Sequence, residues 1–384
     1  MDRTQKQLLA LLTTAIHDRA PDRELFSVVA GNDLLDLAIQ QDVSSFLYPV
    51  ITKYAEEIKL DPGVRQRWKT TTLFLAARQA GLTSEIKTVL DLLAANDITV
   101  LSLKGLVLKQ LYPQPELRNM GDVDLLVQEK DMYRAIELLG TIGYTANPEH
   151  LKKIHRYKHI GMNKFGALTL ELHRTLWHPF YMKKRDNHLW FRHIWENKRT
   201  LELEGIRLTA LSLEDELIHM VVHLATHFIS SGVMLRQLCD LVLFREAYQS
   251  ILDQEYLTRV FQAMGLWSFF EHLLLTCQLY LGLTLPAGNQ EAEKISQLLI
   301  SDIFNYELNT ETADDQECWK VLSRHYPFAR KSHYLISLSF ILEVGVQFIL
   351  NRKGLGQSIA VAKKSFAAFR TRLQFLQSIG LLAR

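Results

Sequence analysis

The sequence predicts an α+β fold: a mixed, partly open sheet flanked by N-terminal and C-terminal helical regions. Three observations lead there. Apolar residues recur at spacings of three and four through residues 1–80. Short alternating or β-branched apolar runs, separated by helical stretches, cluster between residues 97 and 175. Helical periodicity then resumes and dominates from about residue 195. The 384-residue chain thus divides into an N-terminal helical region (1–80), a core (81–195) and a C-terminal helical region (196–384).

Composition narrows the class. Apolar residues make up 48% and charged residues 22%, as in an ordinary globular protein. A formal net charge of +2 excludes a molecule that is strongly basic overall, as many nucleic-acid binders are. Cys239, Cys277 and Cys318 are far apart and form no CxxC pair, so neither a disulfide framework nor a thiolate zinc site is suggested. The N-terminus is charged and amphipathic, without the apolar core and cleavage site of a signal peptide, so a cytoplasmic location is expected. Residues 333–350 approach the length of a membrane-spanning helix. Glu343 lies within them, and a mid-span carboxylate is costly in lipid, so a buried or interfacial helix is expected.

The elements follow in order. QKQLLALLTTAI and DLLDLAIQQDVSSFLYPVITKYAEEI read as helices, and LTSEIKTVLDLLAAND as another, ending near Asn96. ITVLSL, residues 98–103, is a short buried strand that ends at Leu103. Lys104-Gly105 opens a short helix, which Pro113 and Pro115 terminate. Asp122–Val127 alternates and reads as a strand. KDMYRAIELLGTIG is a helix closed at Gly143, and GYTA, HRYKHIGMN and ALTLELH read as further strands. In LSLEDELIHMVVHLATHFI, Ser212 can cap a helix whose first turn holds Glu214, Asp215 and Glu216, where the helix dipole favours them.

Asp122 and Asp124 stand two apart on one strand, so both carboxylates share a face while Val123, Leu125 and Val127 take the other. Two like charges this close repel unless a cation or proton lies between them, and Mg²⁺ prefers oxygen ligands of this kind. On residues 167–173 the leucines alternate with Thr169, Glu171 and His173. If that strand lies beside Asp122–Val127, Glu171 joins the aspartates, and three carboxylates can hold two metals for in-line phosphoryl chemistry. Gly105 lets backbone approach a phosphate, Lys104 adds a point charge, and Arg118 in the loop just before Asp122 can fork onto phosphate oxygens. The plainer readings are a surface lysine, a loop salt bridge for Arg118, a solvated Glu171 and a strand-capping His173.

The run LKGLVLKQLYPQPELRNMGDVDLLV resembles the signature of the uncharacterised nucleotidyltransferase family within the polymerase β-like superfamily. That pattern is a strand, a glycine-containing turn, a helix, then Asp-x-Asp on the next strand. Gly105 supplies the turn, Asp122 and Asp124 the pair, and LTLELH resembles the strand that carries the third carboxylate, Glu171. The resemblance covers residues 97–175. It implies a polymerase β-like nucleotidyltransferase core. The catalytic and metal residues would be Asp122, Asp124 and Glu171, and the nucleotide-binding residues Lys104, Gly105, Arg118 and His173. The turn here is Lys104-Gly105-Leu106, without the second glycine or serine common in the superfamily.

The expected activity is Mg²⁺-dependent transfer of a nucleoside monophosphate from an NTP to an acceptor, with release of pyrophosphate and with Mn²⁺ as an alternative ion. The acceptor could be a sugar, another small molecule, a peptide or an RNA end. The missing turn hydroxyl motivates the alternative, a non-catalytic nucleotide-sensing or partner-binding protein on the same fold. Two further patterns have plain readings. His219, His223 and His227 share one helical face, but HMVVH lacks the glutamate of a helical zinc motif, so a packed histidine stripe is expected. Residues 351–384 carry basic and no acidic side chains, with apolar residues at helical spacing. A terminal helix docked on its own domain is favoured there over membrane or RNA contact.

Overall fold

The computed structural model describes residues 1–167, 169–176, 193–230, 232–285, 290–305 and 374–381. The apolar stretch 333–350, Cys318 and most of the basic tail lie outside them. The chain forms two compact units: Met1–Met220 with Leu235–Leu252, and Val221–Met234 with Asp253–Arg384.

The first unit begins with helices α1 (Arg3–His17), α2 (Gly31–Gln40), α3 (Ser44–Lys53), α4 (Ala55–Ile58) and α5 (Pro62–Ala95). A capping box starts α1: the Asp2 carboxylate accepts from the Gln5 N–H at 2.8 Å, and the Gln5 side chain accepts from the Asp2 N–H at 3.0 Å. Asp61 caps α5 by accepting from the Gly63 N–H at 2.7 Å, with Pro62 at the first helical position. Sequence periodicity starts this helix near residue 82, yet it runs unbroken through Gly81. One interior glycine costs only about 1 kcal/mol. Burying Trp68, Val89 and Leu93 on α5 offsets that, since each large apolar side chain contributes roughly 1.5–3 kcal/mol.

After α5 come β1 (Val100–Ser102), α6 (Gly105–Leu108), β2 (Asp122–Val127), α7 (Met132–Thr141), β3 (Thr145–Ala146) and α8 (Pro148–Lys152). Then follow β4 (His159–Asn163), β5 (Thr169–His173), β6 (Arg199–Leu203) and β7 (Ile206–Ala210). The strands form one sheet in the order β3-β4-β5-β2-β1-β7-β6. β2 pairs parallel with β5 and β1 parallel with β7, while the remaining neighbours are antiparallel. The architecture is therefore α+β with a mixed sheet. Val123, Leu125 and Val127 of β2, Leu170 and Leu172 of β5, and Ile160 and Met162 of β4 join one apolar core with Ile86, Val89 and Leu93 of α5.

The β6–β7 hairpin lies past residue 195, where the sequence reads mostly helical. Its two-residue turn, Glu204-Gly205, has φ of 49° and 77°. Positive φ at both central positions is the twist-matched hairpin turn. Ile206, Leu208 and Ala210 are buried while Arg207 is exposed, the alternation of a strand with one face covered.

Two helices complete the first unit: α9 (Leu213–Ser230), which belongs to it through Met220, and α10 (Leu235–Tyr248). The Ser212 hydroxyl caps α9, accepting from the Asp215 N–H at 3.1 Å. Asp240 of α10 is buried and receives both Arg118 Nε (2.8 Å) and Nη2 (2.7 Å), with the Tyr112 hydroxyl at 2.8 Å. Burial alone would raise the Asp240 carboxyl, but the Arg118 guanidinium holds it below the ordinary range. Arg236 reaches the same carboxylate at 3.5 Å and Asp42 at 2.6 Å.

The second unit contains α11 (Gln254–Met264), α12 (Trp267–Leu281) and α13 (Gln290–Asn305). The described part of the tail docks within it. Leu376 and Ile379 are fully buried, and the His272 imidazole lies 3.0 Å from the Ile379 carbonyl oxygen. Among the described residues, no helix is long and apolar enough to cross a membrane.

The Arg118–Asp240 bracket yields a stability prediction. Asp240→Ala leaves a buried guanidinium unpaired, so urea unfolding should show a loss of about 3–5 kcal/mol. The double variant Arg118→Met/Asp240→Leu should recover most of that loss. A single variant as stable as wild type would contradict the bracket.

Candidate active site

The parallel pairing of β2 with β5 sets the site. Its register places Asp122 opposite Thr169, Asp124 opposite Glu171 and Leu126 opposite His173. Because alternate residues share a face, Asp122, Asp124, Glu171 and His173 project away from the leucine layer. Ligand oxygens of Asp122, Asp124 and Glu171 lie within 4.8 Å of one another. Asp122 is exposed at the start of β2, Asp124 is 5% exposed, and Glu171 is part-buried.

Asp124 is held from both sides. Its Oδ2 lies 2.9 Å from Lys104 Nζ, and its Oδ1 lies 2.6 Å from His173 Nε2. Burial alone would raise this carboxyl, but the Lys104 ammonium and the His173 imidazole together hold it well below the usual range. Asp122 shifts the other way: desolvation first, then repulsion by Asp124, push its carboxyl up. Adjacent carboxylates are thus driven apart in acidity, as expected when like charges share a site.

Lys104 reaches Asp124 through an unusual backbone. It has φ 41° and ψ −109°, a conformation that favours glycine, and such strain costs on the order of 1–3 kcal/mol. Glu216 of α9 supports it: the Lys104 N–H donates to Glu216 Oε1 at 3.2 Å. Gly105 follows where space is tight, since a Cβ there would sit 3.2 Å from Arg118 Nη1 and 3.3 Å from Met120 Sδ. Arg118 itself donates to the Gly105 carbonyl at 3.0 Å.

The structure therefore brings Lys104, Asp122, Asp124, Glu171 and His173 together, with Gly105 in the adjoining turn. Arg118 is not on this face. It is 2% exposed and turned toward Asp240, so its guanidinium braces the turn from behind and is not presented to a phosphate. This is the plainer salt-bridge reading, with the partner on a distant helix instead of in the loop. The His219–His223–His227 stripe also keeps its plain reading: His223 and His227 stack edge to face with centroids 4.2 Å apart, and His219 is buried.

Sequence reasoning missed three neighbours. Antiparallel β4 sets His159 opposite His173, and His159 Nδ1 comes within 3.2 Å of Glu171 Oε2. Burial pulls the His159 imidazole down to about 4. Lys158, just before it, is pulled down to about 8 by burial and then by the positive charge of Lys104. HRYKHIGMN reads as a strand, but only its pairing with β5 reveals where these side chains go. Glu216 looks like one of three first-turn acids, and its contact with Lys104 spans 112 residues of chain.

A family profile described as uncharacterised nucleotidyltransferase matches residues 29–282. The chain belongs to the uncharacterised nucleotidyltransferase family. No curated protein and no solved structure matches it. The matched span of this nucleotidyltransferase contains Lys104, the three clustered carboxylates and Glu216. Membership supports nucleotidyl transfer as the general activity and an NTP as substrate. Nucleotidyltransferases usually use divalent metals, and the acidic cluster here offers oxygen ligands of the kind such ions take.

Glu216 provides a pH test. It is fully buried, and desolvation pushes its carboxyl up to about 7 from 4.5. Between those values the native state holds a proton that the unfolded chain has released, so stability falls as pH rises through that window. Glu216→Gln keeps an oxygen for the Lys104 N–H and removes the slope. Urea titrations should find the variant more stable than wild type by up to about 3 kcal/mol above neutral pH, with the two converging in acid. Parallel pH profiles would contradict the burial of a titrating carboxyl at this position.

Proposed function

We propose that this nucleotidyltransferase moves a nucleoside monophosphate from an NTP to an acceptor hydroxyl or phosphate, with Asp122, Asp124 and Glu171 as metal ligands. The observation that carries the reading is the β2–β5 register, which sets Asp124 opposite Glu171 and gathers three carboxylates. Oxygen ligands and concentrated negative charge suit Mg²⁺, or Mn²⁺ in its place. Divalent ions held there would supply Lewis acidity for the acceptor oxygen and the triphosphate.

The chain's own groups then take distinct parts. The acceptor oxygen attacks the α-phosphorus, the bond to the β-phosphate bridging oxygen breaks, and pyrophosphate leaves. Glu171, part-buried beside Asp124, is the carboxylate suited to take the acceptor's proton. Lys104 lies beside the carboxylates and is suited to meet triphosphate charge. His173 orients Asp124 through the 2.6 Å contact to its Oδ1. Gly105 keeps the turn close-packed, and we assign Arg118 to bracing that turn instead of binding phosphate. The acceptor belongs to a sugar, another small molecule, a peptide or an RNA end, and an NTP substrate fits a cytoplasmic setting. The non-catalytic alternative, motivated by the missing turn hydroxyl, draws also on the Asp124 oxygens, which already engage Lys104 and His173.

Thermal stabilisation by each NTP with Mg²⁺, in wild type and in Asp122→Asn/Asp124→Asn, tests the proposal. A nucleotide at about 100 times its Kd should add about 2.7 kcal/mol. The shift should require Mg²⁺ and vanish in the double variant, and pyrophosphate release should separate turnover from sensing. A shift that persists without the aspartates would sink the assignment.

A further inference from the structure

We propose a second cation position beside the carboxylate cluster, formed by His159, Glu171 and His173 and suited to a divalent transition metal. It rests on the proposed function in one respect: Glu171 is shared between the two positions. Adjacent strands build it. Antiparallel β4–β5 pairing sets His159 across from His173, and their rings lie 4.9 Å apart at 57°. Glu171 stands two residues before His173 on the same strand face.

The spacing suits an ion. His159 Nδ1 and His173 Nε2 each lie 3.2 Å from Glu171 Oε2, and ligand atoms of all three residues fall within 4.8 Å of one another. Two ligands about 2.0–2.1 Å from a tetrahedral ion stand roughly 3.3 Å apart. His159 Nδ1 is a buried atom with no hydrogen-bond partner. Opposite Glu171 is Gly161, where an added Cβ would meet only the Thr169 methyl, at 4.0 Å, so the strand pair leaves room.

The ligand chemistry differs from that of the neighbouring cluster. Two imidazoles and one carboxylate favour Zn²⁺, Co²⁺ or a similar ion, whereas Mg²⁺ takes oxygen donors. Three protein ligands leave a further coordination position for water or substrate. His173 Nε2 also contacts Asp124 Oδ1 at 2.6 Å, so an ion here would compete with Asp124 for His173.

Co²⁺ titration of the metal-free, full-length protein, followed by visible absorption, tests the site directly. With excess Mg²⁺ present to fill the oxygen-only carboxylate position, the wild type should bind one Co²⁺ with ligand-field bands that Zn²⁺ displaces and further Mg²⁺ does not. His159→Ala, and His159→Phe, which keeps an aromatic ring beside His173, should each weaken Co²⁺ binding by more than about tenfold. Asp122→Asn should leave it unchanged. Wild-type Co²⁺ affinity in both His159 variants, displacement by Mg²⁺, or loss in Asp122→Asn would overturn the inference. Failure of the carboxylate reading has a separate signature, Mg²⁺-dependent NTP stabilisation that survives Asp122→Asn.

Discussion

Three carboxylates on two neighbouring strands cannot share one face without counter-charge, and much of the first unit is arranged around that constraint. Two like charges about 4 Å apart repel by about 4 kcal/mol at an effective dielectric near 20. Asp124 is the most buried of the three, and the Lys104 ammonium and the His173 imidazole offset its charge. Lys104 gets there only through a backbone conformation that disfavours a side chain. That turn is held by Glu216 at the Lys104 N–H and by Arg118 at the Gly105 carbonyl, and Arg118 is in turn fixed by Asp240. Helices α9 and α10 therefore act on the carboxylates through the turn without contributing a carboxylate to the cluster.

The topology explains why β2 and β5 meet. After β2 the chain crosses over through α7, forms β3, and returns through the antiparallel β4 and β5 to lie parallel beside β2. Leucine and valine side chains drive that pairing from the opposite face, where they join the core with α5 and α7. A one-residue slip would exchange Glu171 for Leu170 or Leu172 at the site and bury the carboxylate in the core. The hydrophobic layer thus fixes the register of the polar one.

Much of this was legible in the sequence because alternation is a local signal. Asp122–Val127 and LTLELH declare both their strand character and their polar face, so Glu171 could be matched to the aspartates before any pairing was known. Gly143, at φ 92° just past α7, was readable as a helix stop. The rest depended on contacts distant in sequence. Arg118 stands in the loop just before Asp122 in the sequence, but its partner lies 122 residues away on α10. Glu216 carries the same letter as its neighbour Glu214, and burial alone gives it a different part. The β6–β7 hairpin was hidden because its strands are short and half-exposed, and its Glu-Gly turn is a weaker signal than Asn-Gly or Asp-Gly.

In the proposed function, carboxylates from β2 and β5 act together on one group of cations. Electron paramagnetic resonance of free Mn²⁺, titrated into the protein with and without NTP, addresses it most directly through Glu171→Gln. The account predicts Mg²⁺-displaceable, nucleotide-enhanced Mn²⁺ binding in wild type that is strongly weakened by this single change on β5, although both aspartates remain. Undiminished binding in Glu171→Gln would contradict it and leave the aspartates of β2 as a metal site of their own.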